Sequence, residues 1–179
     1  MNHPIKRIVL LGPMGIGKTT AIRSLCGSLA IECDVPNLDK QAHAKETTTV
    51  GVDFGEIKLD EHDTLQIYGC PGQDRYDFVR EWALSLAFGA IVMVDIHAPD
   101  AIAQAVELIQ QCRRAPNVQA IVVLSTRAAS PAQQEMFTVQ LSNHADCAVP
   151  VLNADPRNPT QMLDALEIIA AMLPSELAA

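Results

Sequence analysis

Ile8-Val9-Leu10-Leu11-Gly12-Pro13-Met14-Gly15-Ile16-Gly17-Lys18-Thr19-Thr20 is the stretch on which the fold turns. Its four apolar residues in an unbroken run suit a strand buried on both faces of a parallel sheet. The run ends at Gly12, where the spacing G-x-x-x-x-G-K-T opens. Helix-period apolar residues then follow at Ile22, Leu25, Cys26 and Leu29, within a predicted helix from Thr19 to Leu29. A strand, a glycine-rich turn and a helix start together present unpaired backbone amides and the positive end of a helix dipole. Glycines let those amides approach an anion with no Cβ in the way. The arrangement predicts a polyphosphate cradle made by Gly12, Met14, Gly15, Ile16, Gly17, Lys18, Thr19 and Thr20, of the kind that holds a nucleoside triphosphate. Lys18 is expected to reach the outer phosphates. Thr19 is expected to place its hydroxyl on Mg²⁺, whose octahedral shell is completed by phosphate oxygens, water and carboxylates.

The chain has 179 residues, which suits one domain over 1–179 with a substantial core. Its 13 Lys and Arg against 21 Asp and Glu give a net charge of −8. No basic field is available for nucleic acid or anionic lipid, so a nucleic-acid partner is disfavoured. Cys26, Cys33, Cys70, Cys112 and Cys147 have no metal-ligand spacing and mostly lie in apolar runs, as reduced thiols do in a cytoplasmic protein. His3, His43, His62, His97 and His144 are equally scattered, so no metal beyond Mg²⁺ is expected. There is no long apolar N-terminal segment, no myristoylation glycine and no prenylation cysteine in Ser175-Glu176-Leu177-Ala178-Ala179. The expectation is a cytoplasmic protein with no direct membrane anchor.

Beyond the first helix, Ile31 to Thr49 has no sustained period and reads as a long loop, a length that usually carries function. Val50, Val52 and Phe54 alternate, and Ile57 and Leu59 resume the apolar positions. After the turn Asp60-Glu61-His62-Asp63 come Leu65, Ile67 and Cys70, so the segment predicts an antiparallel hairpin. Further strands are expected at Ala90 to Val94, Ala120 to Leu124 and Val149 to Leu152. Helices are expected at Arg75 to Leu86, Ala101 to Arg113, Pro131 to Asn143 and Thr160 to Leu173. This order predicts an α/β fold of the P-loop NTPase kind. It is a three-layer sandwich with a mostly parallel six-stranded sheet and one antiparallel edge strand, binding its ligand at the carboxyl ends of the strands.

With the hairpin placed between the glycine loop and Gly69-Cys70-Pro71-Gly72-Gln73-Asp74-Arg75-Tyr76, the chain resembles the Ras-superfamily small GTPases over nearly its full length. The resemblance implies GTP or GDP as ligand, with Mg²⁺. Thr49-Val50-Gly51-Val52-Asp53-Phe54 looks like the end of switch I, which makes Thr49, with Thr48 second, the threonine that closes onto Mg²⁺ and the γ-phosphate. The Pro71-Gly72-Gln73 core looks like switch II, where the Gly72 amide senses the γ-phosphate and Gln73 orients the attacking water. More narrowly, this core, the threonine run and the missing lipidation signals look like the prokaryotic MglA-like and Rup groups. Those groups work with roadblock-domain partners, so an MglB-like protein and a downstream protein effector are implied. The plain alternatives are strand-end β-propensity for Thr47 to Thr49 and a solvated first-turn helix residue for Gln73.

The sequence departs from the family pattern at three places. Gly69 stands where most relatives have an aspartate that holds Mg²⁺ through water, and Asp53 or Asp95 is the candidate replacement. Met14 stands where Ras has a glycine beside the γ-phosphate, so its side chain is expected to crowd the water and glutamine and slow hydrolysis. Arg75 would offset this by stabilising transition-state charge, or would instead pair with Asp74 or Glu81. After Ala120 to Leu124, the family's N-K-x-D is replaced by Ser125, Thr126, Arg127 and Ala128, and Ala128 cannot accept hydrogen bonds from a guanine edge. The implied base site is therefore Ser125, Thr126, Arg127, Asn153, Ala154 and Asp155. Arg127 would stack on the base and the Ala154 amide would meet the guanine carbonyl, while Asp155 either reaches the base edge or serves a turn before Pro156. Phe78 and Trp82 read as core, or as an effector anchor if exposed. The expected function is a slow GTPase switch. The alternatives are a pseudo-GTPase scaffold with lost hydrolysis or relaxed guanine selectivity and, third, a small P-loop kinase.

Overall fold

The computed structural model describes residues 6–31, 34–36, 47–49, 51–59 and 63–173, with backbone alone for 34–36, 47–49 and Asp74. In chain order the elements are β1 (Lys6–Leu11), α1 (Lys18–Cys26), β2 (Asp34–Pro36), β3 (Thr47–Thr49), β4 (Asp53–Lys58), β5 (Thr64–Gly69) and α2 (Asp77–Leu86). They continue as β6 (Gly89–Val94), α3 (Ala101–Arg114), β7 (Ala120–Ser125), α4 (Pro131–Ala145), β8 (Val151–Asn153) and α5 (Pro159–Met172). Six strands form one sheet in the order β4-β5-β1-β6-β7-β8. All neighbours are parallel except edge strand β4, which runs antiparallel to β5 from Asp53↔Gly69 to Lys58↔Thr64.

Alternate residues of the central strands feed two cores. Ile8, Leu10, Ile91, Met93, Val122 and Leu124 pack with α1 and α5, against Ile22, Met162 and Ile169. Val9, Leu11, Ala90, Val92, Val94 and Val123 pack on the other face with α2, α3 and α4, against Leu84, Ile109 and Leu141. Each such aliphatic side chain contributes on the order of 1.5–3 kcal/mol when buried. That is why unbroken apolar runs, rather than alternating ones, form the inner strands. β1 lies between β5 and β6, with α1 on one face and α3 on the other. The crevice beyond its carboxyl end is therefore the switch point at which such sheets bind ligands.

Local sequence explains most boundaries. Gly27 ends α1 at φ +56 and a short 3₁₀ turn continues to Leu29, so Leu29 is exposed rather than on the buried face expected of one continuous helix. Another 3₁₀ turn, Asp74–Tyr76, precedes α2, which therefore starts at Asp77 rather than Arg75. Ser130 and Gln133 form a reciprocal capping box with Pro131 at the first turn of α4. The last strand is shifted to Val151–Asn153 from the expected Val149 to Leu152. The expected loop Ile31 to Thr49 contains an antiparallel ribbon, β2 on β3, and Ile31 bridges to Phe54 of β4. Val50 lies outside the described residues. In β4 the faces are opposite to the hydrophobic reading: Asp53 and Gly55 are buried while Phe54 is half-exposed.

Candidate functional site

The loop between β1 and α1 wraps around the start of the helix because three glycines adopt positive φ, at +144 for Gly12, +78 for Gly15 and +114 for Gly17. Gly12 and Gly17 also have no room for a side chain. A Cβ on Gly12 would lie 2.3 Å from the Met93 carbonyl oxygen, and one on Gly17 would lie 2.9 Å from Pro156. Lys18 is buried, and its Nζ donates to the Gly12 and Pro13 carbonyl oxygens at 2.7 and 2.9 Å. Those two bonds hold the ammonium across the loop.

Next to Lys18, the Thr19 hydroxyl donates to Asp53 Oδ2 at 2.6 Å. Asp53 is 1% exposed and sits directly opposite Gly69 in the β4–β5 register. A Cβ built on Gly69 would lie 3.3 Å from Asp53 Cβ and 3.6 Å from its Oδ2. The two positions therefore share one space on one face of the sheet, and the carboxylate fills it from the neighbouring strand. Asp95, the other candidate, is turned to the base end, where it faces Arg127 Nε at 3.7 Å and accepts from the His97 amide. Among the described residues no three His, Cys, Asp or Glu cluster to hold a metal by themselves. A divalent ion would fit the donors present: the Thr19 hydroxyl donates its hydrogen bond to Asp53 and keeps oxygen lone pairs that could face an ion, whose remaining ligands would be phosphate oxygens and water. Thr49 lies in β3, and its side chain is outside the described residues.

On the other side of the loop, Gly72 is pressed onto the P-loop backbone. A Cβ there would meet Met14 N at 2.5 Å, Pro13 C at 2.6 Å and Gly12 O at 2.8 Å. The following residue, Gln73, donates from Nε2 to Met14 Sδ at 3.4 Å. The amide thus touches the side chain that replaces the family's glycine, and a thioether is only a weak acceptor. Arg75 stacks on its neighbour Tyr76, with the guanidinium carbon 4.9 Å from the ring centroid. Cys70, between β5 and this segment, is pushed up to about 12 by burial, with Lys18 and Arg80 opposing the shift. It is a neutral thiol, not a nucleophile.

Beyond Gly17 the loop opens into a cleft of about 580 Å³, lined by Gly15, Ile16, Gly17, Thr20, Thr126, Arg127, Ala128 and Asn153 to Arg157. Gly15 to Gly17 and Thr20 therefore share one cavity of ligand-binding size with Thr126, Arg127, Asn153, Ala154 and Asp155, whereas Ser125 is fully buried and does not line it. Several of its polar groups are engaged with each other. The Ala154 amide donates to the Ser125 carbonyl at 3.0 Å as the strand ladder continues, so it does not present itself to a guanine carbonyl as expected. Asn153 Nδ2 donates to the Arg127 carbonyl at 2.6 Å and to Ser125 Oγ at 3.3 Å, and the Thr126 hydroxyl donates to the Val94 carbonyl. Hydrogen bonds from Arg157 hold the Asp155 carboxyl down at about 2, and the pair is two-pronged. Asp155 therefore serves a local turn with Arg157, while its own amide donates to Gln161 Oε1.

Pro156, Arg157 and Gln161 also line this cleft, outside the residues expected from the sequence. Arg157, two residues after an aspartate across a proline, was the available signal for the pairing. Phe78 and Trp82, read from the sequence as core or, if exposed, as an effector anchor, are 67% and 50% exposed. Trp82 packs edge-on against Tyr68, which contacts Phe54, with ring centroids 6.0 and 5.3 Å apart. Among the described residues no helix is long and apolar enough to cross a membrane.

An uncharacterized protein of Methanocaldococcus jannaschii is 28% identical over 89 residues, a match that spans half of each chain. The structure of the bacterial selenocysteine-specific elongation factor EF-Sec superposes with a TM-score of 0.68 at 17% identity, covering 95% of this chain and 29% of that one. This likeness shows a shared fold. The Ras family model matches residues 7–146, from β1 through α4. That span takes in the phosphate loop, the β4–β5 hairpin, Gly72-Gln73 and the β7 loop, and by it the chain belongs to the Ras family of nucleotide-binding switches.

Proposed function

We propose that this protein is a GTP/GDP switch of the prokaryotic MglA-like and Rup kind, using Mg²⁺ and hydrolysing GTP slowly. The observation that carries this reading is the Thr19–Asp53 hydrogen bond opposite Gly69. It supplies a buried carboxylate beside the P-loop threonine in a chain whose usual metal-holding aspartate is missing. Thr19 and Asp53, with Thr49, would hold Mg²⁺, which neutralises phosphate charge when bound. Lys18 and the amides from Gly15 to Thr20 bind the phosphates. Gln73 positions water, and the Met14 contact supports slow turnover because the amide must leave the sulfur before it reaches a nucleophile. Arg75, stacked on Tyr76, would have to swing away to act on transition-state charge. In the cleft, Arg127 would cover the base.

The switch would work by repositioning Gly72-Gln73 and the Ile31 to Thr49 region between nucleotide states, with a roadblock-domain protein of the MglB kind and a downstream effector as partners. The exposed Phe78 and Trp82 of α2, with half-buried Tyr68 and Phe54 packed beside Trp82, form the surface we assign to such contacts, because aromatic side chains anchor interfaces. Hydrogen exchange with GDP and with a non-hydrolysable GTP analogue, in Mg²⁺, tests the reading. Protection of residues 69–80 should differ between the two, and identical patterns would sink it.

A second reading is a pseudo-GTPase with relaxed base selectivity. Ala128 lacks a carboxylate, Asp155 is tied to Arg157, and the Ala154 amide is spent on Ser125. Identification of the nucleotide that copurifies, with GTP against ATP competition, separates the two.

A further inference from the structure

Met14 meets the Gly72-Gln73 segment twice. Its backbone nitrogen lies 2.5 Å from where a Cβ on Gly72 would stand, and its Sδ accepts a hydrogen bond from Gln73 Nε2 at 3.4 Å. The residue is half-buried, so part of its surface meets solvent. Leucine would crowd the same space and offer Gln73 no acceptor. A thioether offers a weak one, and it brings an atom that can be oxidised.

Sulfur elsewhere in the molecule is placed differently. Met93 and Met162 are fully buried, while Met136 and Met172, 58% and 40% exposed, belong to α4 and α5 and do not line the cleft. Burial pushes the Cys26 thiol up to about 11 and the Cys70 and Cys112 thiols up to about 12, so all three are neutral and poor nucleophiles. A thioether has no proton to lose. Among the described residues, Met14 is the one whose sulfur is hydrogen-bonded to a residue of the proposed reaction.

We infer that Met14 is a sulfoxidation site, at which a hydroperoxide slows the hydrolysis proposed above and prolongs the triphosphate state, an inference that rests on the nucleotide-switch reading. With hydrogen peroxide, the sulfur lone pair attacks one peroxide oxygen, and the S–O bond forms as the O–O bond breaks. The departing hydroxide takes the proton left on the transferred oxygen and becomes water. Sulfur loses two electrons and the peroxide gains them. The sulfoxide oxygen is a polar acceptor where the thioether was a weak one. Met14 turns about several side-chain bonds, so the new oxygen can follow the Gln73 amide and hold it on the P-loop. Sulfoxide reductases return the thioether, which makes the modification reversible.

The test treats the full chain, in Mg²⁺, with hydrogen peroxide and follows Met14 oxidation by peptide mass spectrometry alongside single-turnover GTP hydrolysis. The rate should fall about three- to tenfold, the span of one strengthened hydrogen bond, in step with Met14 sulfoxide. Methionine sulfoxide reductase should restore it. Met14→Leu and Gln73→Ala should each keep, after peroxide, the rate they had before it, whereas Met136→Leu/Met172→Leu should slow as wild type does. If Met14→Leu does not fold, Gln73→Ala carries the same comparison. A loss of rate that persists in either single variant, as oxidation of a cysteine would give, overturns the inference. So does full Met14 sulfoxide with an unchanged or higher rate, or a Met14 that stays reduced while Met136 and Met172 are oxidised. If wild type binds GTP but does not turn it over, the hydrolysis reading fails by itself. Met14 is then judged by hydrogen exchange of residues 69–80 with a GTP analogue bound: oxidation should raise protection there, and exchange that is unaltered or faster overturns its role.

Discussion

The two ends of the cleft are built differently. The proposed phosphate end comes from one continuous segment, Gly12 to Thr20, and the groups it offers are mainly backbone amides set by three positive-φ glycines and the start of α1. The base end is assembled from the β6, β7 and β8 loops, and its groups are side chains: Asp95, Arg127, Asn153 and Asp155, already bonded to one another or to the backbone. Backbone donors survive substitution of most neighbours, so the first end keeps the family pattern. A side-chain site changes with every replacement, and the second end has changed.

The comparison breaks at once if the phosphate end does not dominate affinity. Lys18→Ala removes the buried cation bridging Gly12 and Pro13, and should weaken nucleotide binding by about 3 kcal/mol, roughly 100-fold; equilibrium titration with a fluorescent guanine nucleotide checks it. Asp53→Asn keeps the shape but loses the charge beside Thr19. The Mg²⁺ dependence of nucleotide retention should weaken by about 10- to 100-fold. Moving the carboxylate back, in Asp53→Gly/Gly69→Asp, should recover part of that, limited by Ile22 Cδ1, which lies 2.8 Å from a Cβ at Gly69.

Met14→Gly should raise single-turnover hydrolysis by about tenfold, equivalent to about 1.4 kcal/mol of barrier, by releasing Gln73 from the sulfur. Unchanged hydrolysis would mean that the Met14–Gln73 contact is not what slows it. The smallest effect belongs to the base end. Asp155→Asn should alter the ratio of GTP to ATP affinity by less than about threefold, because its carboxylate is spent on exposed Arg157. The folded-state pKa is depressed to about 2, so the pair is present above the ordinary carboxylate range and is lost only as pH falls through about 2. A large loss of guanine preference would show instead that Asp155 turns to the base.

The inner strands were legible because burial on both faces leaves unbroken apolar runs, as in Ile91 to Val94. The β4 edge was not. Alternation of Val52 and Phe54 suggested the wrong buried face, since Asp53 and Gly55 face α1 and only the packing of Ile22 and Cys26 against Gly55 shows why a small residue sits there. Phe78 and Trp82 have the same spacing as core residues, and nothing local distinguishes a helix face that meets the sheet from one that meets solvent.

By itself the sequence determined the phosphate loop, the α/β order and the order of switch segments, because strand, glycine turn and helix are local and their chemistry lies in the backbone. Only the tertiary structure decided that Asp53 stands across from Gly69, that Met14 holds Gln73 and that Asp155 belongs to Arg157. These are encounters between side chains far apart in the chain or turned by their local backbone, and they depend on sheet register and helix packing that no short motif encodes.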